Sequence, residues 1–553
     1  MATTVTICSP AVPALQSPPE LDVRHHRRQY LPSVWGDFFL SHQPCTESEL
    51  VSMKEKAQDK KEEVRRILLD AAASEDLARK LDLIDTLQRL GVGYHYRKEI
   101  DDVLRAVYDE KHGGSDDLYV TSLRFYLLRK HGYAVPSDVF LKFRDEHGNI
   151  SSDDVYSLMM LYDAAHLRTR GEDILDSIIA LNKCRLKNVV QTSLDKGLLE
   201  EVRLTLETPR FRRVERVEAR RFILVYEKKA ARDETILEFA KLDYNIVQAL
   251  CCKELKELTV WWKDFMSRTD VGFARDRLVE MYFWMMAIVY EPYFTYSRIM
   301  LTKMAIFVAL LDDLYDNYAT TEESEIFTAA IQRLVNLTDL IKWDEKATEE
   351  LPANLREFYK NILGDTNEIV EELKLQNNKN AEMVIKLLKW RDEQYVPTNV
   401  TEHLQISVES IAAMHTANLA FISLGDVTTR EAVEWAFTYP RIIRAVSILA
   451  RISNDIMTHE REQASEHMAS RVQTCMKQYG ITEEEAIEKL KGIIETSWMD
   501  IVQECLDREH SIVLYEKVVS FAQSIDFVYK REDAYTLSSN LQDTLTSLYV
   551  KFV

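Results

Sequence analysis

Glycine and proline are scarce in this chain, at 14 and 12 of 553 residues, against usual shares of roughly 7 and 5 %. A fold of many short strands needs such breakers at every turn, so sandwiches, barrels and low-complexity linkers are excluded. Cysteine is sparse as well: seven residues, from Cys8 to Cys505, are scattered without a C-x-x-C pair. That excludes a disulfide framework and a thiolate zinc site, and a reducing, cytosolic compartment is expected. Positive charge is in deficit, with 70 Lys and Arg against 90 Asp and Glu. No stripe joins basic to aromatic residues, so no nucleic-acid partner is expected. Long apolar runs are missing too. "YFWMMAIVYEPYF" is broken by Glu291, and "MAIFVALL" falls short of the roughly 18 residues of a membrane span, so no membrane partner is expected. The opening "MATTVTICSPAVPALQSPPELDV" has neither the basic start and apolar core of a secretory signal nor the arginines of a transit peptide, and reads as a flexible tail.

What is plentiful is helix-forming: Leu, Glu, Lys, Ala and Arg. At roughly 150 residues per domain the length implies two to four units, fewer if they are large and helical. From about Glu47 to Glu234 one amphipathic helix follows another; in "KLDLIDTLQRLGVGYHYRKEIDDVLRAVY" apolar residues recur three and four apart. The charged stretch "YEKKAARDETILEFAKLDYN" then separates a second half with longer, more apolar helices, richer in Trp, Tyr and Met. The chain divides into a tail over 1–23, an N-terminal helical domain over 24–235 and a C-terminal helical domain over 236–553. The N-terminal domain opens with the basic, aromatic segment "RHHRRQYLPSVWGDFF", which reads as extended and lying across something else. The fold class is all-α.

The second half holds every constellation with chemical content. "MAIFVALLDDLYDNY" runs as a helix apolar on every side and then delivers Asp312, Asp313 and Asp316. At about 100° per residue, Asp312 and Asp316 point the same way, one turn apart. Two carboxylates at the end of a buried helix repel each other and lose hydration, a conflict that a divalent cation resolves. The alternative is a solvated helix end where acids happen to cluster. In "RISNDIMTHERE", Asn454, Thr458 and Glu462 fall at i, i+4 and i+8 on one helix face. Their amide, hydroxyl and carboxylate oxygens are a hard donor set suited to Mg²⁺, unless they form a polar hydrogen-bonded ladder. Upstream, "ARDRLVEMYFWMM" places Arg275 and Arg277, and Arg451 stands one turn before Asn454. Guanidiniums beside a metal-binding acidic face attract a metal-bound polyanion and match phosphate oxygens. Ion pairing with Asp276 or Glu280 is the competing use of the R-x-R pair.

Together "LLDDLYDNY", "NDIMTHERE" and "ARDRLVEMYFW" resemble the motifs of the class I plant terpene synthases, specifically the sesquiterpene synthases. "LQRLGVGYHYRKEI", "LRFYLLRKHGYAVPSDVFLKF" and "LYDAAHLRTRGEDIL" are similar to that family's N-terminal domain, so the likeness covers nearly the whole chain. It implies a C-terminal class I helical bundle holding the active site and a catalytically silent, barrel-like N-terminal domain. It implies Mg²⁺, three ions per site, with Mn²⁺ as a substitute: Asp312 and Asp316 bridging two ions, Asn454, Thr458 and Glu462 holding the third, and Asp313 supporting its neighbours within the metal motif. Arg275, Arg277 and Arg451 match positions that grip the diphosphate. "DFVYKREDAYTL" matches a loop that folds over the substrate and supplies Tyr529, Asp533 and Tyr535, while Trp284 is expected to turn an aromatic face to a cation. "SVESIAAMHTANLAF" is expected to help line the cavity. Two departures stand out. His25 and His26, flanked by Arg24, Arg27 and Arg28, occupy the family's basic pair before Trp35, and "EIDD", Glu99 to Asp102, is one substitution from the D-x-D-D acid motif. No second active site is expected.

The reaction so implied is Mg²⁺-dependent ionisation of farnesyl diphosphate to a carbocation, with release of a C15 terpene and diphosphate, by a monomeric cytosolic lyase. Geranyl diphosphate as substrate stays open. A prenyl-chain elongating synthase is disfavoured, because N-D-x-x-T-x-x-x-E stands where a second aspartate-rich motif belongs. A non-catalytic terpenoid-binding helical protein is the alternative of another class.

Overall fold

The structure, a computed structural model, describes residues 30, 32–110, 115–192, 195–335, 345–388, 412–462 and 470–553. Among the described residues every regular element is helical, as the shortage of breakers and the 3.6-residue period require. The first half contains α1 (Glu47–Ala73), α2 (Leu77–Arg89), α3 (Arg97–Asp109), α4 (Leu118–Lys130), α5 (Val155–Ala165), α6 (Asp173–Thr192), α7 (Lys196–Glu207) and α8 (Glu215–Glu227). The second is built on α9 (Glu234–Arg268), α10 (Leu278–Ile288), α11 (Thr295–Asn317), α12 (Ala353–Leu375), α13 (Ala413–Ser423), α14 (Arg441–Glu462), α15 (Glu483–Leu506) and α16 (Ile512–Val528), with shorter helices between.

Helix starts carry their own chemistry. Thr46 with Glu49, and Thr482 with Glu485, close capping boxes at the heads of α1 and α15, so each threonine satisfies an orphan N–H of the first turn. After α2 the chain turns at Gly91, whose φ is +75° and whose added Cβ would come within 2.8 Å of the Ala219 Cβ. Glycine is needed there on both counts.

In the first half α4 packs on α2 and α5, and α5 on α6. In the second, α10 lies on α11 and α16, while α13 packs against α11, α14 and α16. One apolar core runs through both halves, from Trp35 to Tyr549. The position 235/236 falls in the first turn of α9, which packs on α1 as well as on α10 and α11. Glu254 of α9 draws three helices together: it accepts from Arg298 Nη2 and Nε at 2.6 and 2.8 Å and from the Tyr282 hydroxyl at 2.8 Å. Arg298 is fully buried, a charge that only such satisfied pairing makes tolerable.

The stretch Pro292–Asp316 has the length and apolarity of a membrane span, at mean hydropathy 1.4, and 67 % of that window is buried inside the protein. This differs from the sequence expectation, because the apolar run continues N-terminally of Met304 with only Arg298 and Lys303 as charges. It is the core helix of the second half, covered by α10 and α13.

Ionic contacts join the halves. Arg97 donates to Glu291 at 2.8 Å, Arg212 to Glu495 at 2.5 Å, and Arg170 to both oxygens of Asp500 at 2.6 and 2.7 Å. A cavity where Gln523 of the second half meets the first is lined by Asp85, Arg89, Lys130, Arg210, Arg213 and Glu218, and by none of the aspartates of α11. Its charges are spent on one another, as in Arg89–Glu218 and Arg210–Asp85, so we assign it to the seam and not to substrate. In "EIDD", Glu99 pairs with Arg65 at 2.7 Å, and Asp101 with Arg105 and Tyr133, each at 2.7 Å.

Candidate active site

α11 delivers its aspartates as its apolar run ends. The Asp312 side chain is 44 % exposed and Asp316 is exposed, while Asp313 is buried. Arg275 reaches them from the turn before α10. Its Nη2 donates to Asp312 Oδ2 at 2.9 Å, and its Nε and backbone N–H both reach Asp313 Oδ2, at 3.1 and 2.9 Å. Its Nη1 donates to Thr536 Oγ1 at 3.1 Å. Tyr30, from the segment before Trp35, donates to Asp313 Oδ1 at 3.2 Å and sets its ring 5.9 Å from the Arg275 guanidinium. Asp313 is therefore enclosed by protein partners, while Asp312 stays partly exposed beside Arg275 and Asp316 is exposed.

The charges explain this division. Burial works against the Arg275 cation, but Asp313 and Asp312 outweigh it and push its pKa up. Burial pushes the Asp313 carboxyl up as well, opposed by Arg275. A guanidinium stands in as the counter-ion of an acidic helix end that cannot hold its charge alone.

Arg277 is buried; its Nη1 donates to the Asp276 carbonyl at 2.7 Å and its Nη2 to the Thr536 carbonyl at 3.3 Å. Arg451 lies 3.9 Å from Asp455, which also pairs with Arg471.

The second oxygen-bearing face is on α14. Thr458 is buried and its hydroxyl donates to the Asn454 carbonyl at 3.0 Å, which leaves its lone pairs as acceptors. The Asn454 amide donates to the Tyr529 hydroxyl at 3.3 Å. The side chain of Glu462 lies outside the described residues, as do His25, His26 and their flanking arginines.

Between the two faces stand aromatic rings. Tyr529, at the C-cap of α16, meets Trp284 of α10 edge-on at 5.9 Å, and Trp284 meets Tyr535 at 5.9 Å. Tyr535 in turn lies 5.2 Å from the Arg275 guanidinium. Burial raises the pKa of both phenols; Asp533 adds to the rise at Tyr529, and Asp312 is within electrostatic reach of it. Both rings are therefore neutral at ordinary pH. Asp533 is buried and accepts the Thr536 N–H at 3.1 Å, so its visible work is to shape the turn that carries Tyr535. Thr416, Ala417, Ala420 and Phe421 of α13 border a narrow gap with Ile288, Lys517, Val518 and Phe521. Residues 407–411 of the stretch expected to line the cavity lie outside the described residues.

The residues present fit a divalent cation. Asp312 and Asp316 open to solvent at one helix end, Asn454 and Thr458 supply neutral oxygens of the hard type, and a cationic side chain already occupies the acidic face.

Residues 263–500 match the terpene synthase family, metal binding domain, and residues 34–206 match the terpene synthase, N-terminal domain. The chain belongs to the terpene synthase family. This terpene synthase is 48 % identical over 556 residues to the (E)-beta-caryophyllene synthase of Zea mays, covering 98 % of each chain. It is 43 % identical over 532 residues to the zingiberene synthase of Sorghum bicolor, covering 94 % of this chain and 96 % of that one. Its fold matches the crystal structure of isoprene synthase from grey poplar leaves (Populus x canescens) in complex with three Mg²⁺ ions and dimethylallyl-S-thiolodiphosphate, at TM-score 0.80 and 28 % identity over 94 % of this chain and 99 % of that one. The terpene synthase is an enzyme acting on a prenyl diphosphate and dependent on a divalent metal.

Two residues of the site were not singled out in the sequence: Tyr30 and Thr536. Tyr30 sits in the basic, aromatic segment read as lying across another element, which is what its contact with Asp313 makes it do. Thr536 carries no pattern at all.

Proposed function

We infer that this terpene synthase is a sesquiterpene synthase, which ionises farnesyl diphosphate to an allylic carbocation and releases a C15 terpene with diphosphate. The observation that carries the reading is the meeting at Tyr529, whose hydroxyl takes the Asn454 amide at 3.3 Å within electrostatic reach of Asp312. Two oxygen-bearing helix faces far apart in sequence thereby address one aromatic-lined space. The relatives from maize and sorghum support the C15 substrate class.

In this reading Asp312, Asp316, Asn454, Thr458 and Glu462 hold Mg²⁺, three ions in all, a count supported by the ions in the grey poplar enzyme. The bound ions supply Lewis-acid stabilisation of the departing diphosphate. The chain's own residues do the rest. Arg275, Arg277 and Arg451 offer fixed donors to the diphosphate oxygens, where preorganised charge favours bond cleavage. Asp313 takes no ion; it keeps Arg275 and Tyr30 in place at the mouth. Trp284, Tyr529 and Tyr535 present neutral ring faces to the cation, and their packing keeps out water that would quench it. Asp533 orders the turn that brings Tyr535 over the substrate. A reducing, cytosolic setting belongs to this reading, supported by six described cysteines standing as free thiols.

Purified protein incubated with farnesyl diphosphate and Mg²⁺ is expected to release diphosphate and volatile C15 product, detected by gas chromatography, and to stop on chelation. Geranyl diphosphate in parallel decides chain length. No diphosphate release from either substrate, or turnover that survives chelation, would remove the proposal.

A further inference from the structure

One acid beside the site has no part in this scheme. Glu280 lies in the first turn of α10, 1 % exposed, and neither carboxyl oxygen has a hydrogen-bond partner among the described residues. A carboxylate in that condition is strongly disfavoured. Ser538, in the turn Ser538–Leu541, offers a weak contact that falls short of hydrogen-bond geometry. Arg277, three residues upstream, spends Nη1 on the Asp276 carbonyl at 2.7 Å and Nη2 on the Thr536 carbonyl at 3.3 Å. Arg275 holds the Thr536 hydroxyl at 3.1 Å. The C-terminal segment 533–541 that carries Tyr535 thus rests on one short turn of chain, held at Thr536 by Arg275 and Arg277, with the Glu280 carboxyl beside Ser538.

We propose that Glu280 is a positioning residue, a buried acid that in its neutral form seats the 533–541 segment and leaves the Arg277 guanidinium to the Thr536 carbonyl, fixing the mouth of the site. The proposal rests on the site assignment above. The charged and titratable groups facing Glu280 are Arg277 and Asp276 on its own turn and Tyr535 on the C-terminal segment; α9 contributes Trp262, whose N–H is taken by Asp276 at 3.0 Å. Burial outweighs the pull of Arg277 and raises the Glu280 pKa to about 7. Below that pH the seat holds. Above it the ionised group draws Arg277 off Thr536 or admits water, and either loosens the segment.

The test compares wild type with Glu280→Gln, a neutral group of the same shape, from pH 6 to 9. It reads kcat/KM for farnesyl diphosphate and, without substrate, hydrogen–deuterium exchange over 533–541 corrected for intrinsic rate. The two proteins should match at pH 6. Above pH 7 wild-type kcat/KM should fall relative to the variant, approaching tenfold per pH unit for a one-proton event, and wild-type protection of the segment should fall with it. Ser538→Ala keeps the carboxyl but removes its weak donor, so the break in the wild-type profile should move to higher pH. A constant kcat/KM ratio with equal protection at pH 6 and 8.5, or an unmoved break in Ser538→Ala, overturns the role. Absence of turnover at every pH removes the site assignment instead, and the exchange measurement then still decides on Glu280.

Discussion

The Asn454 amide donates to the Tyr529 hydroxyl at 3.3 Å, across 75 residues of sequence. The contact ties α14 to the C-terminal end of α16, and through Trp284 and Tyr535 it continues to Arg275 and Asp312. Asn454 cannot reorient without disturbing the Tyr529 ring.

Tyr529→Phe removes that tie and keeps the ring. Loss of one neutral hydrogen bond is worth about 1 kcal/mol, so kcat/KM should fall about fivefold while the thermal midpoint holds. The product mixture should also change, because the ring gains freedom where the cation folds. Steady-state kinetics with gas chromatography of products checks both; an unchanged rate and an unchanged mixture would count against the assigned position.

Asp312 and Asp313 are neighbours with separable roles. Asp312 is 44 % exposed and its partner among the described residues is Arg275, which also holds Asp313, so Asp312→Ala should abolish turnover without lowering the melting temperature. Asp313→Asn takes the buried acceptor charge from Tyr30 and from the Arg275 guanidinium, which keeps Asp312 alone. It should lower both activity and melting temperature, since breaking one side of a buried pair costs about 3–5 kcal/mol. Calorimetry and diphosphate release on the two variants separate the cases; equal melting losses would contradict the division.

How much of this was legible in the sequence depends on the range of the interaction. The all-helical fold and the shared face of Asp312 and Asp316 follow from spacing within one helix, which periodicity reports directly. The match of Thr458 to Asn454 is equally local, one turn apart. The hold of Arg275 on Asp312 and Asp313, 37 and 38 residues away, was legible only as a charge rule, and Tyr30 on Asp313, 283 residues away, not as a contact. Ion pairing with Asp276 or Glu280 was the competing use of the R-x-R pair, whereas the Glu280 carboxyl is left without a hydrogen bond among the described residues and Arg277 holds main-chain carbonyls. Pairing by charge ignores the direction in which a short helix turn points its side chains. The membrane-length stretch at 292–316 shows the same limit: composition reports apolarity, and only packing says what covers it.

His166 sets an acid limit on stability. It is 7 % exposed and hydrogen-bonded through Nδ1 to the Tyr162 carbonyl; burial, then the nearby Arg212, press its pKa down to about 3. The folded protein keeps it neutral while the unfolded chain takes up a proton below about 6.5. Stability from this group is complete above pH 6.5 and is lost as pH falls, by about 2 kcal/mol at pH 5. Urea midpoints at pH 7 and 5 should therefore diverge less in His166→Asn than in wild type. Equal divergence would assign the acid loss to other groups.

The second half should be brittle at Lys517, whose partner Glu291 also meets Arg97 of the first half. Its ammonium donates to both oxygens of Glu291, at 2.7 and 2.6 Å, and both side chains are almost wholly buried. Burial opposes the Glu291 charge, but Lys517 and then Arg97 outweigh it and hold the carboxyl below its usual range. Arg97 comes from α3 of the first half and is 33 % exposed, so it cannot replace the lysine inside. Lys517→Met leaves the carboxylate buried with half its compensation, and should cost about 3–5 kcal/mol. Replacing both partners, as in Glu291→Met with Lys517→Met, removes the orphan charge and should recover most of that loss. A denaturant double-mutant cycle reads the coupling; a Lys517→Met midpoint equal to wild type would show that the pair carries no load.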